Sequence, residues 1–152
     1  MSKDEQFLQR AIDLALANVD DGGRPFGALV VKDGAVIATG VNEIGATGDP
    51  TAHAELSAIR MAAQVLDSPR LDGCVVYASG QPCPMCLSAM YLTGVSAARF
   101  AYSNADGEPY GLSTAPMYAE LAKPLEAQIL DVRHQPVVTA ASPYDAWMAR
   151  QN

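Results

Sequence analysis

Cysteine is scarce in this chain, with three among 152 residues. That scarcity excludes a disulfide framework, and reduced thiols suit a cytoplasmic protein. Basic residues are also few: ten Lys and Arg stand against seventeen Asp and Glu, for a net charge of −7. Phosphate binding normally needs a basic face, so this balance argues against nucleic acid as the main partner. No stretch approaches the roughly twenty apolar residues of a membrane span, so no membrane partner is expected. The opening Met1-Ser2-Lys3-Asp4-Glu5 is charged and no apolar run follows it, which predicts no secretory signal. Repeats and low-complexity tracts are absent as well. What remains is an ordinary globular composition, 49% apolar, at a length that suits one domain over residues 1–152 with a real core.

Against this background, two of the three cysteines stand close together, in Pro82-Cys83-Pro84-Met85-Cys86. About thirty residues earlier lies His53-Ala54-Glu55, within Asp49-Pro50-Thr51-Ala52-His53-Ala54-Glu55. One imidazole and two thiolates can hold a zinc ion and leave one position free for water. Two thiolates cancel the charge of the ion, so such a centre acidifies water less than one ringed by neutral imidazoles. A base is then needed, and Glu55 is placed to serve. The same acid would next protonate a ring nitrogen and then a departing amine. Pro84 suits the first turn of a helix, which puts Cys83 at the cap and Cys86 one turn later, both sulfurs facing the same way. A helix N-terminus also favours the thiolate, the form that binds metal.

Each half of this pattern has an ordinary explanation by itself. Many helices contain H-x-E by chance, and a lone C-x-x-C serves as a redox pair or half of a structural zinc site. The third cysteine, Cys74, opens an apolar strand and reads as a buried small hydrophobe.

The rest of the chain frames the two segments. Residues 2–20 predict an amphipathic helix with a Ser2–Glu5 capping box. Pro25–Val31 and Ala35–Val41 predict a hairpin about the Asp33-Gly34 turn. Asn42 ends the second strand; its amide fits either turn chemistry or a substrate contact. A loop over 42–50 leads to a helix over 51–66 that carries His53 and Glu55 in its first turn. Cys74–Ala78 reads as a central strand, 84–92 as a helix stopped by Gly94, and Val95–Ala101 as another strand. Residues 102–114 read as a long functional loop, a pocket wall or lid. A short helix over 115–121, a weak edge strand starting at Gln128-Ile129-Leu130, and a capped helix over 142–150 complete the chain. In that last helix, Trp147 reads as a packing residue.

Taken together, the residues resemble the cytidine deaminase-like zinc aminohydrolases, and within them the guanine deaminases. The matching segments are Gly23-Arg24-Pro25-Phe26-Gly27-Ala28, Asn42, Asp49–Glu55 with Ala58-Ile59-Arg60 behind it, and Pro82–Cys86. The resemblance implies a three-layer α/β/α fold with a five-stranded mixed sheet, one zinc per chain and a homodimer. It implies His53, Cys83 and Cys86 as zinc ligands and Glu55 as proton shuttle. The Asn42 amide would bind the base, Phe26 would pack against its ring, and His53 would lie over its face. Backbone N–H groups near Ala54 and Cys83 would hold the base or the oxygen that attacks it.

Gly111-Leu112-Ser113-Thr114 falls where guanine deaminases carry an acidic residue that reads the donor edge of guanine; here Ser113 and Thr114 take the substrate-contact place. Gln81 stands where the family commonly has glutamate. The tail ends Arg150-Gln151-Asn152, shorter than the aromatic tail with which guanine deaminases cover a neighbour's pocket. The expected activity is hydrolytic deamination of a small aminated heterocycle, guanine or a related purine, pyrimidine or triazine base. Two other readings stay open. One is tRNA adenosine deamination by the same chemistry on a flipped base. The other is a non-catalytic zinc-stabilised binding protein, which requires a filled fourth coordination position.

Overall fold

Helix α1 (Lys3–Asp20) starts at Ser2, whose hydroxyl accepts the Glu5 N–H while the Glu5 carboxylate takes the Ser2 N–H. This computed structural model describes residues 1–151. After α1 come β1 (Gly27–Lys32) and β2 (Ala35–Val41), joined by Asp33 and Gly34 at φ 51° and 76°. Positive φ at both turn residues matches the strand twist and explains the Asp-Gly pair. A one-turn helix, α2 (Ile44–Thr47), interrupts the segment expected to be plain loop. Then follow α3 (Ala54–Val65), β3 (Cys74–Gly80), α4 (Pro84–Thr93) and β4 (Ala97–Tyr102). Gly94, at φ 77°, ends α4 as the sequence predicts.

The sheet runs β2-β1-β3-β4. β1 pairs antiparallel with both β2 and β3, and β3 runs parallel to β4. Side chains alternate across it. Ala28, Val30 and Val76 join Ala58, Ile59, Ala62 and Met90, so α3 and α4 cover one face. Leu29, Val31 and Tyr77 join Ala11 and Phe7, so α1 covers the other. The result is the expected three-layer α/β/α arrangement. Two glycines let the helices close on the strands. A Cβ on Gly27 would lie 2.5 Å from the Ala11 carbonyl, and one on Gly40 would lie 2.7 Å from the Ala58 nitrogen.

The expected fifth strand does not form, and the sheet has four strands among the described residues. Gln128–Leu130 follows a 3-10 turn (Leu125–Ala127), and Ile129 and Leu130 are 87% and 71% exposed. A strand needs one face to bury, and this segment buries none. Residues 102–114 are not one open loop either. They contain α5 (Asn104–Gly107), capped by Ser103, and a 3-10 turn at Glu108–Tyr110. Helix α6 (Ala115–Leu121) follows as expected.

The chain divides into two compact units, Met1–Ala119 and the residues from Glu120 onward. No described residue of the second unit is buried. Its α7 (Pro143–Arg150) is capped by the Ser142 hydroxyl. Trp147 is 61% exposed there, which corrects the packing assignment: a segment this short encloses no core of its own.

Candidate metal centre and active site

Both motif segments deliver their ligands at helix starts. His53 is the N-cap residue of α3, with extended backbone at φ −76° and ψ 152°, rather than a member of its first turn. It makes no side-chain cap bond, so its imidazole is left to point elsewhere. Cys83 caps α4, Pro84 opens the helix, and Cys86 follows within its first turn. The His53 Nδ1 atom lies 3.4 Å from Cys83 Sγ and 3.7 Å from Cys86 Sγ.

These separations are a test of fit. A tetrahedral ion with bonds of about 2.3 Å to sulfur and about 2.0 Å to nitrogen places N and S about 3.5 Å apart. His53, Cys83 and Cys86 are also the one such cluster of possible ligands among the described residues. The donor set and its spacing therefore suit a zinc ion with one position left over.

The electrostatics point the same way. A hydrogen bond from Cys86, against the effect of burial, holds the Cys83 thiol down to about 4. The same hydrogen bond, with burial, pushes Cys86 up. The opposite shifts favour the thiolate at Cys83, the form that binds metal. His53 is raised by its bond to Cys83, partly offset by burial. Two helix N-termini meeting at the cluster add favourable potential for thiolates.

Glu55 follows the N-cap of α3 by two residues and is 5% exposed. Burial raises its carboxyl above the usual carboxylate range, against an opposing hydrogen bond with Cys86. A raised acid is suited to take a proton and return it.

A cavity of about 170 Å³ opens over the cluster. It brings together Phe26, Asn42, His53, Ala54, Glu55, Cys83, Ser113 and Thr114, every expected pocket residue. Cys86 sits beneath, fully buried. The Phe26 ring lies against Gly80, where a Cβ would come 3.2 Å from Cε1. Asn42 is 4% exposed, and its Oδ1 accepts the Ile44 N–H at 3.2 Å.

Sequence reasoning passed over several supports. Asn18, at the end of α1, donates to the Arg24 carbonyl at 2.7 Å and the Asn42 carbonyl at 2.9 Å, tying two pocket segments together. Asn104 accepts from the Thr114 N–H at 3.1 Å and its hydroxyl at 3.3 Å, which fixes the 111–114 wall. The Tyr118 hydroxyl donates to the Pro82 carbonyl beside the first thiol. Arg24 lines the cavity too. Of these, Arg24 alone had a signal, since it lies inside a matching segment.

Residues 1–102 match the model of the cytidine and deoxycytidylate deaminase zinc-binding region. The chain belongs to that deaminase family. It is a hydrolytic deaminase, and individual relatives refine the likeness. A guanine deaminase of Bacillus subtilis (strain 168) is 43% identical over 144 residues, covering 94% of this chain and 92% of that protein. The X-ray structure of guanine deaminase from Bacillus subtilis superposes with a TM-score of 0.89 at 42% identity, over 95% of this chain and 93% of that one. A tRNA-specific adenosine deaminase of Aquifex aeolicus is 37% identical over 97 residues, 64% of each chain. A structure solved in complex with 2,6-diaminopurine has a TM-score of 0.70 at 30% identity, covering 73% of this chain and 62% of that one.

Proposed function

We propose that this deaminase hydrolyses the exocyclic amine of a small free nucleobase, guanine or a related purine, pyrimidine or triazine, and releases ammonia. The observation that carries this reading is the cavity: it holds the His53–Cys83–Cys86 cluster, the buried Glu55 and a free amide end at Asn42 within one small space. Its volume of about 170 Å³ is well under the ~300 Å³ at which drug-sized pockets begin, which supports a bare base over a nucleoside. The near full-length likeness to a guanine deaminase supports guanine first.

His53, Cys83 and Cys86 are the residues that hold the zinc. When bound, zinc supplies Lewis acidity that makes water a nucleophile near neutral pH. Glu55 takes a proton from the attacking water at its carboxylate. It passes that proton to the ring nitrogen beside the amine-bearing carbon. It then moves the second proton to the departing amine, so that water and the C–NH2 group become a carbonyl and ammonia. Phe26 packs on the ring and Asn42 donates to it; backbone at Ala54 and the wall at Ser113 and Thr114 complete the contact. Residues 1–152 act as one deaminase domain.

A homodimer is supported by the large apolar side chains that α3 and α4 leave exposed, Met61, Val65, Tyr91 and Leu92. A cytoplasmic location is supported by the buried free thiols, and no helix among the described residues is long and apolar enough to cross a membrane. The test is an ammonia-release screen of the zinc-loaded protein over free bases, nucleosides and tRNA. Turnover of free bases alone is expected; turnover of tRNA alone would overturn the reading.

A further inference from the structure

Three residues that line the cavity, Arg24, Asn42 and Gln81, carry donors at their side-chain ends. Gln81 Oε1 accepts the Asn104 N–H at 2.9 Å, as Asn42 Oδ1 accepts that of Ile44. An amide whose oxygen is held by a backbone N–H presents its NH2 end elsewhere. Neither NH2 group has a protein hydrogen bond among the described residues, yet no buried side-chain nitrogen or oxygen there lacks a partner. Both NH2 ends are therefore open, and both residues line the cavity. Arg24 lines it as well. Its guanidinium joins none of the ion pairs among the described residues.

Acceptors, by contrast, are few. Glu55 is the one carboxylate lining the cavity, and the deamination reading commits it to proton transfer. The Ser113 hydroxyl takes the Ala115 N–H at 3.2 Å, and the Thr114 hydroxyl directs its proton to Asn104. The wall hydroxyls are thus engaged in holding the wall. A substrate edge rich in N–H groups would meet donor against donor here, whereas an oxo group would meet a guanidinium or an amide NH2.

We propose that Arg24 and Gln81 set the specificity of this deaminase by donating to an oxygen of the substrate, so that it selects aminated rings bearing an oxo group and rejects those bearing a second amine there. This rests on the deamination reading above and names the substrate edge that reading leaves open. A hydrogen bond to a charged donor, lost and replaced by two facing donors, changes affinity by about 100-fold.

The experiment compares three rings that share the 2-amine: guanine, 2-aminopurine and 2,6-diaminopurine. Zinc-loaded wild type is expected to favour guanine over 2,6-diaminopurine in kcat/KM by about 100-fold. Arg24→Ala and Gln81→Ala should each lower guanine kcat/KM by about tenfold or more and leave 2-aminopurine within about threefold. Arg24→Lys, which keeps the charge, should recover part of the loss. Gln81→Glu, which replaces a donor by an acceptor, should narrow the gap to 2,6-diaminopurine. Equal slowing of guanine and 2-aminopurine, or no slowing of either, overturns the proposal. Calorimetric binding of the same rings to Glu55→Ala, with and without Arg24→Ala, separates the two readings. If wild type releases ammonia from none of the rings, deamination of these bases fails while the binding order still decides the part of Arg24. Binding without preference for guanine rejects it.

Discussion

Glu55 carries the sharpest consequence at the scale of one residue. Its carboxyl is buried, is held above the ordinary range by that burial, and is hydrogen-bonded to Cys86. Replacing it with Ala removes the proton carrier but none of the three ligands. Turnover should fall by at least about a hundredfold, while zinc content stays at one per chain by atomic absorption. Retained turnover would strip Glu55 of its part; lost zinc would make it structural. His53 and the two cysteines were legible because ligand chemistry constrains residue type as well as spacing. Arg24 and Asn104 were not. An arginine or an asparagine between elements has many ordinary uses, and only the fold reveals that one lines the cavity and the other pins Thr114.

The elements act by bringing helix starts to one place, and two contacts govern how well they do so. Gly40 on β2 lies under the start of α3; its replacement by Ala would drive a methyl group into the Ala54 carbonyl and the Ala58 nitrogen. The helix that bears His53 and Glu55 must then lift. Gly40→Ala should cost about 1–3 kcal/mol in urea denaturation and weaken zinc binding as well, and unchanged zinc affinity would show that α3 is placed by other contacts. On the opposite face, the Tyr77 hydroxyl of β3 donates to Asp4 of α1 at 2.5 Å.

Burial first, then that bond, push Tyr77 up from 10.0 to about 12. The folded chain therefore holds this proton more tightly than the unfolded chain does. The stabilisation is whole below pH 10 and drains away as the pH climbs towards 12. Urea midpoints of wild type and Tyr77→Phe should converge over that window, and parallel curves would mean the bond contributes nothing that titrates. Helices α1, α3, α4, α6 and α7 and the four strands could be read in advance from their caps, turns or apolar faces, whereas the one-turn helices α2 and α5 lie in segments read as loop. The fifth strand could not: the two apolar residues Ile129 and Leu130 resemble an edge, but pairing is decided by a partner and not by the segment.

At the scale of the molecule, two facts set the behaviour in solution. Charge is one. With ten basic against seventeen acidic residues, the protein should not shift tRNA in a gel at low salt, and retention that weakens steeply as salt rises would count against a free-base substrate. The other is that the metal cluster joins parts of the chain far apart in sequence. His53 caps α3 and the two thiols open α4, with β3 and about thirty residues between them.

Without the ion, the contacts of His53 Nδ1 with Cys83 and Cys86 link the two helix starts at the cluster. With it, three bonds do, and any ligand of the folded state alone stabilises that state. Free zinc at about a hundred times its dissociation constant adds about 2.7 kcal/mol. For a chain of this size that is roughly 5–10 °C in melting temperature. Stripping the protein with a chelator at neutral pH should lower the melting temperature by that much, and zinc should restore it. In Cys86→Ser, chelator and zinc should both have far less effect. A wild-type melting curve that ignores chelator, in protein shown to have lost its zinc, would mean that the cluster's geometry is fixed by packing alone and that the ion serves chemistry without serving the fold.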